Sequence, residues 1–272
     1  MPSILPAILL GIVQGITEFL PISSTAHLAL VPWLVGWDSP LLSSLTFDVA
    51  LHMGTLAAVI VYFRNDWISL ARGILSGRAR EQTWFVNVIV GCLPAVVAGI
   101  ALNSCVETTL RSPLVIAAML VLFSGVMYAA ERRRGELRDR VTMADAIVIG
   151  LGQAIAIVPG VSRSGATISA GLFRGIDRAS AARFSFLMST PIVAGAGLKK
   201  LIDARGASFT ADDALLMTAG ALSAAIAGWL CVSWLLRFLA RATMNVFVVY
   251  RISLAALIVI VEIGRAGAPG AM

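Results

Sequence analysis

Six stretches of the chain, near 47–63, 84–102, 114–130, 184–201, 214–236 and 244–263, are apolar over about the 20 residues a helix needs to cross a bilayer. That recurrence constrains the fold more than any motif. A helix that is hydrophobic all round must be buried in protein or in lipid, and a chain this short has no protein core large enough for six. Composition agrees: hydrophobic residues are 58% of the 272 positions and charged residues 13%, against about 25% charged in soluble domains. The expected fold is an all-α polytopic membrane protein, one transmembrane domain over 1–272. No Lys or Arg precedes Arg64, so the apolar N-terminus lacks a signal peptide's basic n-region and is expected to be retained. The net charge of +6 points to basic loops beside a membrane, not to nucleic acid. Cys92, Cys105 and Cys231 are odd in number and far apart. They are expected to be buried small hydrophobes, with no disulfide framework or zinc site.

Two further apolar regions, 4–35 and 144–173, are interrupted. The first contains Glu18, Pro21 and Ser23-Ser24-Thr25-Ala26-His27. The second contains Pro159-Gly160-Val161-Ser162-Arg163-Ser164-Gly165. Such breaks free backbone N–H and C=O groups, which membrane depth tolerates only inside protein or along a watery cavity. Each region is therefore expected to be a re-entrant hairpin of two half-helices.

The basic residues test that topology. With six spans and two re-entrant hairpins, four basic segments share one side: Arg64 to Arg80, Arg132 to Arg140, Arg174 to Arg183, and Arg237 with Arg241. Together they hold fourteen positive residues, and the opposite side has five: Arg111, Lys199, Lys200, Arg205 and Arg265. By the positive-inside rule the fourteen are cytoplasmic and both termini face outward. A hairpin that crossed the membrane would flip every later loop and erase the asymmetry. The arginines at 132–140 are expected to set topology and meet lipid headgroups.

The hairpins are related. Gly11 and Gly150, Gln14 and Gln153, and Ser23 and Ser162 are each 139 residues apart. Each hairpin is followed by three spans, an odd number, so a second copy enters from the opposite face. The expectation is an inverted repeat, about 1–135 and 136–272, a transporter-like plan with its site where the two breaks meet.

Glu18 lies in an apolar run. An intramembrane carboxylate costs roughly 2.5–3.5 kcal/mol to insert, so it marks a functional site by default. Gln14, four residues earlier, shares its helix face. His27 follows Ser24 by three residues, close enough for a local Ser–His pair, and histidine shuttles protons near neutral pH. Arg163 is the only cation of the second break. Gly165 frees the backbone to present N–H groups, Ser162, Ser164 and Thr167 add hydroxyls, and arginine supplies a bidentate fork. Together they suit a phosphate or pyrophosphate. Asp48 and His52, four apart, share a helix face as a structural pair or as part of the site. Arg251 needs a partner and could face the cavity, and Ser185 is expected to pack.

In these residues the chain resembles the undecaprenyl-pyrophosphate phosphatases, also called bacitracin-resistance proteins. The family's first motif is matched by Gln14 to Glu18, Pro21 and Ser23 to His27. Its second is matched from Pro159 to Thr167 at every fixed position, and the likeness runs on through Phe47-Asp48 to Thr55, Phe184 to Leu187 and Tyr250-Arg251. The resemblance implies hydrolysis of undecaprenyl pyrophosphate to undecaprenyl phosphate and inorganic phosphate. That reaction recycles the peptidoglycan lipid carrier at an outward-facing site in the bacterial inner membrane. It implies Arg163, Ser162, Ser164, Gly165 and Thr167, with Ser23 and Thr25, as pyrophosphate ligands. Glu18 would be the catalytic carboxylate, or would bind Mg²⁺ or Ca²⁺ with Gln14, and Ser24 and His27 would be nucleophile and base. The partners implied are the polyprenyl pyrophosphate lipid and the bilayer, without nucleic acid, and a homodimer is compatible. In two places the chain departs from the family. Gln14 stands where many members have Glu, and an amide holds hard cations less well. Ala26 replaces the usual Gly, which stiffens the first break.

Two mechanisms stay open: attack by Ser24 with His27 as base, or water activated by Glu18 with or without the cation. A transporter or flippase of a phosphorylated polyprenyl lipid is the different-class alternative, which inverted repeats suggest directly. Acid-phosphatase-like lipid phosphatases need a His after a Ser-Arg pair, and both histidines, His27 and His52, lie in the first half.

Overall fold

A computed structural model describes residues 4–37, 39–108, 110, 112–133, 137–203 and 209–266. Arg111, Arg134 and Arg205, counted above for topology, lie outside the described residues, as do the side chains of Cys105 and Lys200. Among the described residues all regular structure is helical, apart from one isolated bridge between Arg138 and Ile176. The order is α1 (Ile4–Phe19), α2 (Ser24–Val35), α3 (Leu45–Tyr62), α4 (Arg64–Leu75), α5 (Ala79–Thr108), α6 (Pro113–Glu131), α7 (Met143–Ile155), α8 (Arg163–Phe173), α9 (Arg178–Asp203), α10 (Ala211–Leu239) and α11 (Asn245–Ala266).

Six of these, α3, α5, α6, α9, α10 and α11, are long and apolar enough to cross a membrane. They coincide with the six expected stretches, and the chain is an all-α multi-pass membrane protein. Its outer faces suit lipid: Ile226 and Ile260 keep 65% and 67% of their surface exposed. The segment 64–83, expected as a loop, instead contains α4. Arg64, Asp66 and Arg72 make this helix too polar to span, while Leu70 is buried and Trp67 packs on the core. An amphipathic helix of this kind lies along a membrane surface.

The short helices pair in sequence, α1 with α2 and α7 with α8, and each pair is joined by a tight tip. Tip 1 runs from Leu20 to Ser23, and tip 2 from Ala156 to Ser162. Among the described residues, only Ser23 (φ 76°) and Ser162 (φ 73°) are non-glycine positions with positive φ. Each begins the second helix of its pair, and such backbone costs about 1–3 kcal/mol unless its surroundings hold it. Packing is reciprocal between the halves. α1 lies along α10 and α7 along α5, while α3 meets α9 and α6 meets α11. The seams close because glycines face backbone. A Cβ on Gly11 would stand 2.3 Å from the Gly220 carbonyl oxygen, and one on Gly150 would stand 2.3 Å from that of Gly91.

The main core gathers Phe19, Met127, Phe184, Phe186, Leu187 and Leu235, with Phe19 and Phe186 edge to face at 5.4 Å. Cys92 and Cys231 are buried and donate to the Met188 and Ile16 carbonyls. Two buried carboxylates tie the α4 side together. Glu131 accepts from Arg178 at 2.5 and 2.9 Å and from the Met244 N–H at 2.8 Å, which fastens α6 to α9 and the α10–α11 turn. Asp145 caps α7 with Thr142 and accepts from Arg138 at 2.7 Å and Arg174 at 2.8 Å. Burial raises the Asp145 pKa, but the Thr142 hydroxyl and N–H and the two guanidinium groups outweigh it and hold the carboxyl at about 2.

Candidate active site

The two tips meet inside the helix bundle. The Ser23 hydroxyl accepts from the Gly160 N–H at 3.2 Å, and the Ser164 hydroxyl donates to the Leu20 carbonyl at 3.1 Å. Glu18, 7% exposed in the last turn of α1, is the hub between them. It accepts from Arg163 Nη2 at 2.5 Å, Ser24 Oγ at 2.5 Å and Gln14 Nε2 at 3.1 Å. His52 Nε2 stands 3.6 Å from the same carboxylate. A buried carboxylate is tolerable only with this much compensation.

The arrangement explains why these residues occur where they do. Gln14 and Glu18, four apart, project from one face of α1. Ser24 is the first residue of α2, and the left-handed turn at Ser23 lets it point back at the end of α1. Arg163 is the first residue of α8 and reaches across the junction. Its second terminal nitrogen, Nη1, is buried and has no partner, and neither does the Gln14 amide oxygen.

The expected Ser24–His27 pair does not form in this arrangement. Ser24 turns to Glu18, while His27 Nδ1 lies 2.7 Å from the Ser23 carbonyl and Nε2 lies 2.7 Å from the Tyr250 hydroxyl. A carbonyl only accepts, so Nδ1 carries the proton, and Nε2 of the neutral ring accepts from Tyr250. His27 thus locks tip 1 to α11. Ser162 Oγ caps α8 by accepting from the Gly165 N–H at 3.2 Å and lies 3.2 Å from Ser164 Oγ. Thr167 donates to the Arg163 carbonyl at 2.7 Å and lies 2.6 Å from Ser185 Oγ. It braces α8 from behind, and Ser185 does more than fill space. Ser23 Oγ lies 3.2 Å from Thr25 Oγ1, and Thr25 is exposed toward the neighbouring cavity.

That cavity, about 320 Å³, is lined largely by apolar side chains, among them Leu28, Val49, Ile157 and Ile192, with Thr25 and His52 on its polar side. A water-sized void of about 10 Å³ touches Glu18, Arg163, Thr55 and Ser189. His52 was only a weak candidate from sequence, and α3 brings it to the hub. Its Nδ1 donates to the Asp48 carbonyl at 2.7 Å, so Nε2 points toward Glu18. The signal was the i,i+4 spacing of Asp48 and His52. The contact used is the backbone carbonyl, which spacing alone does not show.

Among the described residues no three His, Cys, Asp or Glu side chains cluster as metal ligands. The Gln14 amide donates its N–H to Glu18 and leaves its oxygen unpartnered; turned over, it would add that oxygen to the Glu18 carboxylate for a hard divalent cation of the kind that takes further ligands from substrate phosphates.

A broken-helix membrane protein whose buried carboxylate holds a serine and one arm of an arginine, beside an apolar chamber that His52 also lines, is the class defined so far. The bacitracin resistance protein BacA family model matches residues 7–257, and the chain belongs to that family. It is 46% identical over 258 residues to an undecaprenyl-diphosphatase of Thermodesulfovibrio yellowstonii, covering 95% of this chain and 97% of that protein. It is 47% identical over 262 residues to one of Moorella thermoacetica, covering 95% and 98%. A third, from Desulforudis audaxviator, is 45% identical over 267 residues, covering 95% and 97%.

Proposed function

We propose that the chain hydrolyses undecaprenyl pyrophosphate to undecaprenyl phosphate and inorganic phosphate, recycling the lipid carrier of peptidoglycan synthesis. The family membership and the relatives' names support the reaction. The observation that carries it to particular atoms is Arg163 Nη1, a buried donor with nothing to donate to. Phosphoryl transfer is mostly positioning and charge stabilisation, and an unengaged arm of a guanidinium is a preformed phosphate contact. The lipid tail enters the apolar chamber while the pyrophosphate meets tip 2.

Arrival of the anion draws Arg163 from Glu18 toward the phosphate, which frees the carboxylate to act as base. Ser24 is already hydrogen-bonded to it. Ser24 Oγ attacks the terminal phosphorus and gives its proton to Glu18. The bridging P–O bond breaks, and undecaprenyl phosphate leaves. Water then attacks the phosphoserine, with Glu18 moving the proton, and releases inorganic phosphate. In the rival course Glu18 activates a water directly, and the void beside Glu18 and Arg163 has room for one. Glu18 and Gln14 would hold a divalent cation, Mg²⁺ or Ca²⁺, which would supply charge neutralisation of the pyrophosphate.

The two halves, about 1–135 and 136–272, are inverted copies in this reading. The reciprocal packing and the paired positive-φ serines support it. The protein lies in the bacterial cytoplasmic membrane with both termini outside, supported by the arginine asymmetry, and its chamber opens outward. The test is phosphate release from undecaprenyl pyrophosphate by purified protein in detergent, with and without chelator. Release that is lost in Glu18→Gln is expected. No release by the unaltered protein would overturn the reading in favour of a lipid transporter.

A further inference from the structure

Arg251, in the second turn of α11, is 0% exposed and is the largest fully buried side chain among the described residues. It does not reach the chamber. Its donors fan out to oxygens on three elements. Nη1 reaches the Pro21 carbonyl at 3.3 Å, and Nη2 reaches the Gly160 carbonyl at 2.8 Å and the Leu120 carbonyl at 3.3 Å. Nε reaches the Ser124 hydroxyl at 3.2 Å. Pro21 belongs to tip 1 and Gly160 to tip 2, and the two are 139 residues apart in sequence, the same interval that relates Ser23 to Ser162. One guanidinium therefore holds the equivalent carbonyl of both tips and anchors them to α6.

We propose that Arg251 is a positioning residue that fixes the spacing of the two tips during turnover, an inference that rests on the hydrolase reading. The other cross-tip ties cannot all keep this role. Arg163–Glu18 must loosen when Arg163 turns to the phosphate, and the Ser23–Gly160 and Ser164–Leu20 ties each rest on one hydroxyl of the kind that phosphate oxygens also engage. The carbonyls of Pro21 and Gly160 are bonded away from the chamber, and substrate has no group that competes for them. The helix that leaves tip 2 starts with the phosphate-binding Arg163, and the two helices that flank tip 1 carry Glu18 and Ser24. Letting the tips drift would leave binding, which needs tip 2, largely intact. It would spoil the approach of nucleophile to phosphorus, which needs both. The neighbouring Tyr250 holds His27, so two consecutive residues of α11 clamp the junction.

The experiment compares Arg251→Met and Arg251→Lys with the unaltered enzyme in detergent, with rates normalised to folded protein by gel filtration. A misplacement of about 1 Å can cost on the order of 100-fold, and that fall in kcat is expected for Arg251→Met. KM for undecaprenyl pyrophosphate and the inhibition constant of inorganic pyrophosphate should stay within about threefold. Lysine keeps the charge but cannot span both carbonyls, so Arg251→Lys should recover stability more than kcat. If Arg251→Met does not fold, Ser124→Ala serves instead. It removes only the Nε partner, and it should lower kcat with KM unchanged. An unchanged kcat per folded molecule would reduce Arg251 to a scaffold residue and overturn the proposal. A raised KM at constant kcat would also overturn it, by placing Arg251 on the substrate. A wild-type protein that releases no phosphate refutes the hydrolase reading first, before any variant is compared, and this role with it.

Discussion

Replacing Arg163 by Lys isolates one hydrogen bond. The guanidinium works in two directions: Nη2 holds Glu18 Oε1 at 2.5 Å, and Nη1 is buried without a partner. A lysine ammonium can keep the first contact and the charge but cannot occupy both positions, because it lacks the planar fork. The protein should therefore fold with Glu18 still compensated. What is lost is a charge-assisted donor to a phosphate oxygen, and such bonds contribute about 1.5–3 kcal/mol. At about 1.4 kcal/mol per factor of ten, the upper end is a fall of more than 100-fold, in the range found when one preorganised donor to a developing oxyanion is removed. The assay is phosphate release from undecaprenyl pyrophosphate in detergent, reported as kcat/KM per folded molecule. Arg163→Ala is a poorer probe, because stripping a buried carboxylate of its partner costs about 3–5 kcal/mol and confounds activity with folding. Near-normal turnover by Arg163→Lys would remove the free arm from the mechanism and refute the reasoning built on it.

Quenching a single turnover with labelled substrate should trap phosphate on Ser24, and Ser24→Ala should abolish the adduct. Turnover with no covalent species would select the water mechanism. Gly150→Ala should lower the detergent melting temperature by overpacking against the Gly91 carbonyl, a loss of about 1–3 kcal/mol. Gly195→Ala, with nothing within 4 Å of the new methyl, should leave the melting temperature unchanged or raise it. Asp145 titrates at about 2, below its ordinary 3.8. Its stabilisation, about 2.4 kcal/mol at most, is complete above about pH 5 and is lost as pH falls through 4 toward 2. Asp145→Asn should lose the same stability at neutral pH and flatten the acid branch of a denaturation curve.

The spans were legible because lipid imposes one rule on every residue of a helix, and apolar length is additive along the chain. The tips were legible because Pro, Gly and Ser at membrane depth have few uses. α4 was missed because its polarity resembles a loop. Only its Leu70 and Trp67, read against a core not visible in sequence, mark one face. At the site, sequence named Glu18, Ser24, His27 and Arg163 but paired them by proximity along the chain. Ser24 and His27, three apart, diverge because Ser24 sits at the very start of α2 and turns back to α1, while His27 turns to α11. The Ser24–Glu18, Glu18–Arg163 and His27–Tyr250 contacts cross a tip, a junction or the whole chain length. No local pattern encodes them. Arg251 could be flagged as needing a partner, but four backbone carbonyls and one hydroxyl leave no trace in side-chain types.

The seam between α1 and α10 also sets an order in time. The ribosome makes α1 well before the surface against which Gly11 closes, around Gly220, which emerges only after α3, α5, α6 and α9. Until then α1 is a helix too short to cross the bilayer, with a carboxylate whose arginine is 145 residues away and an open glycine groove. A nascent chain cannot finish its N-terminal half before its C-terminal half arrives. Helix α1 is made early and seated late, and it waits for its partner through the synthesis of every helix between them.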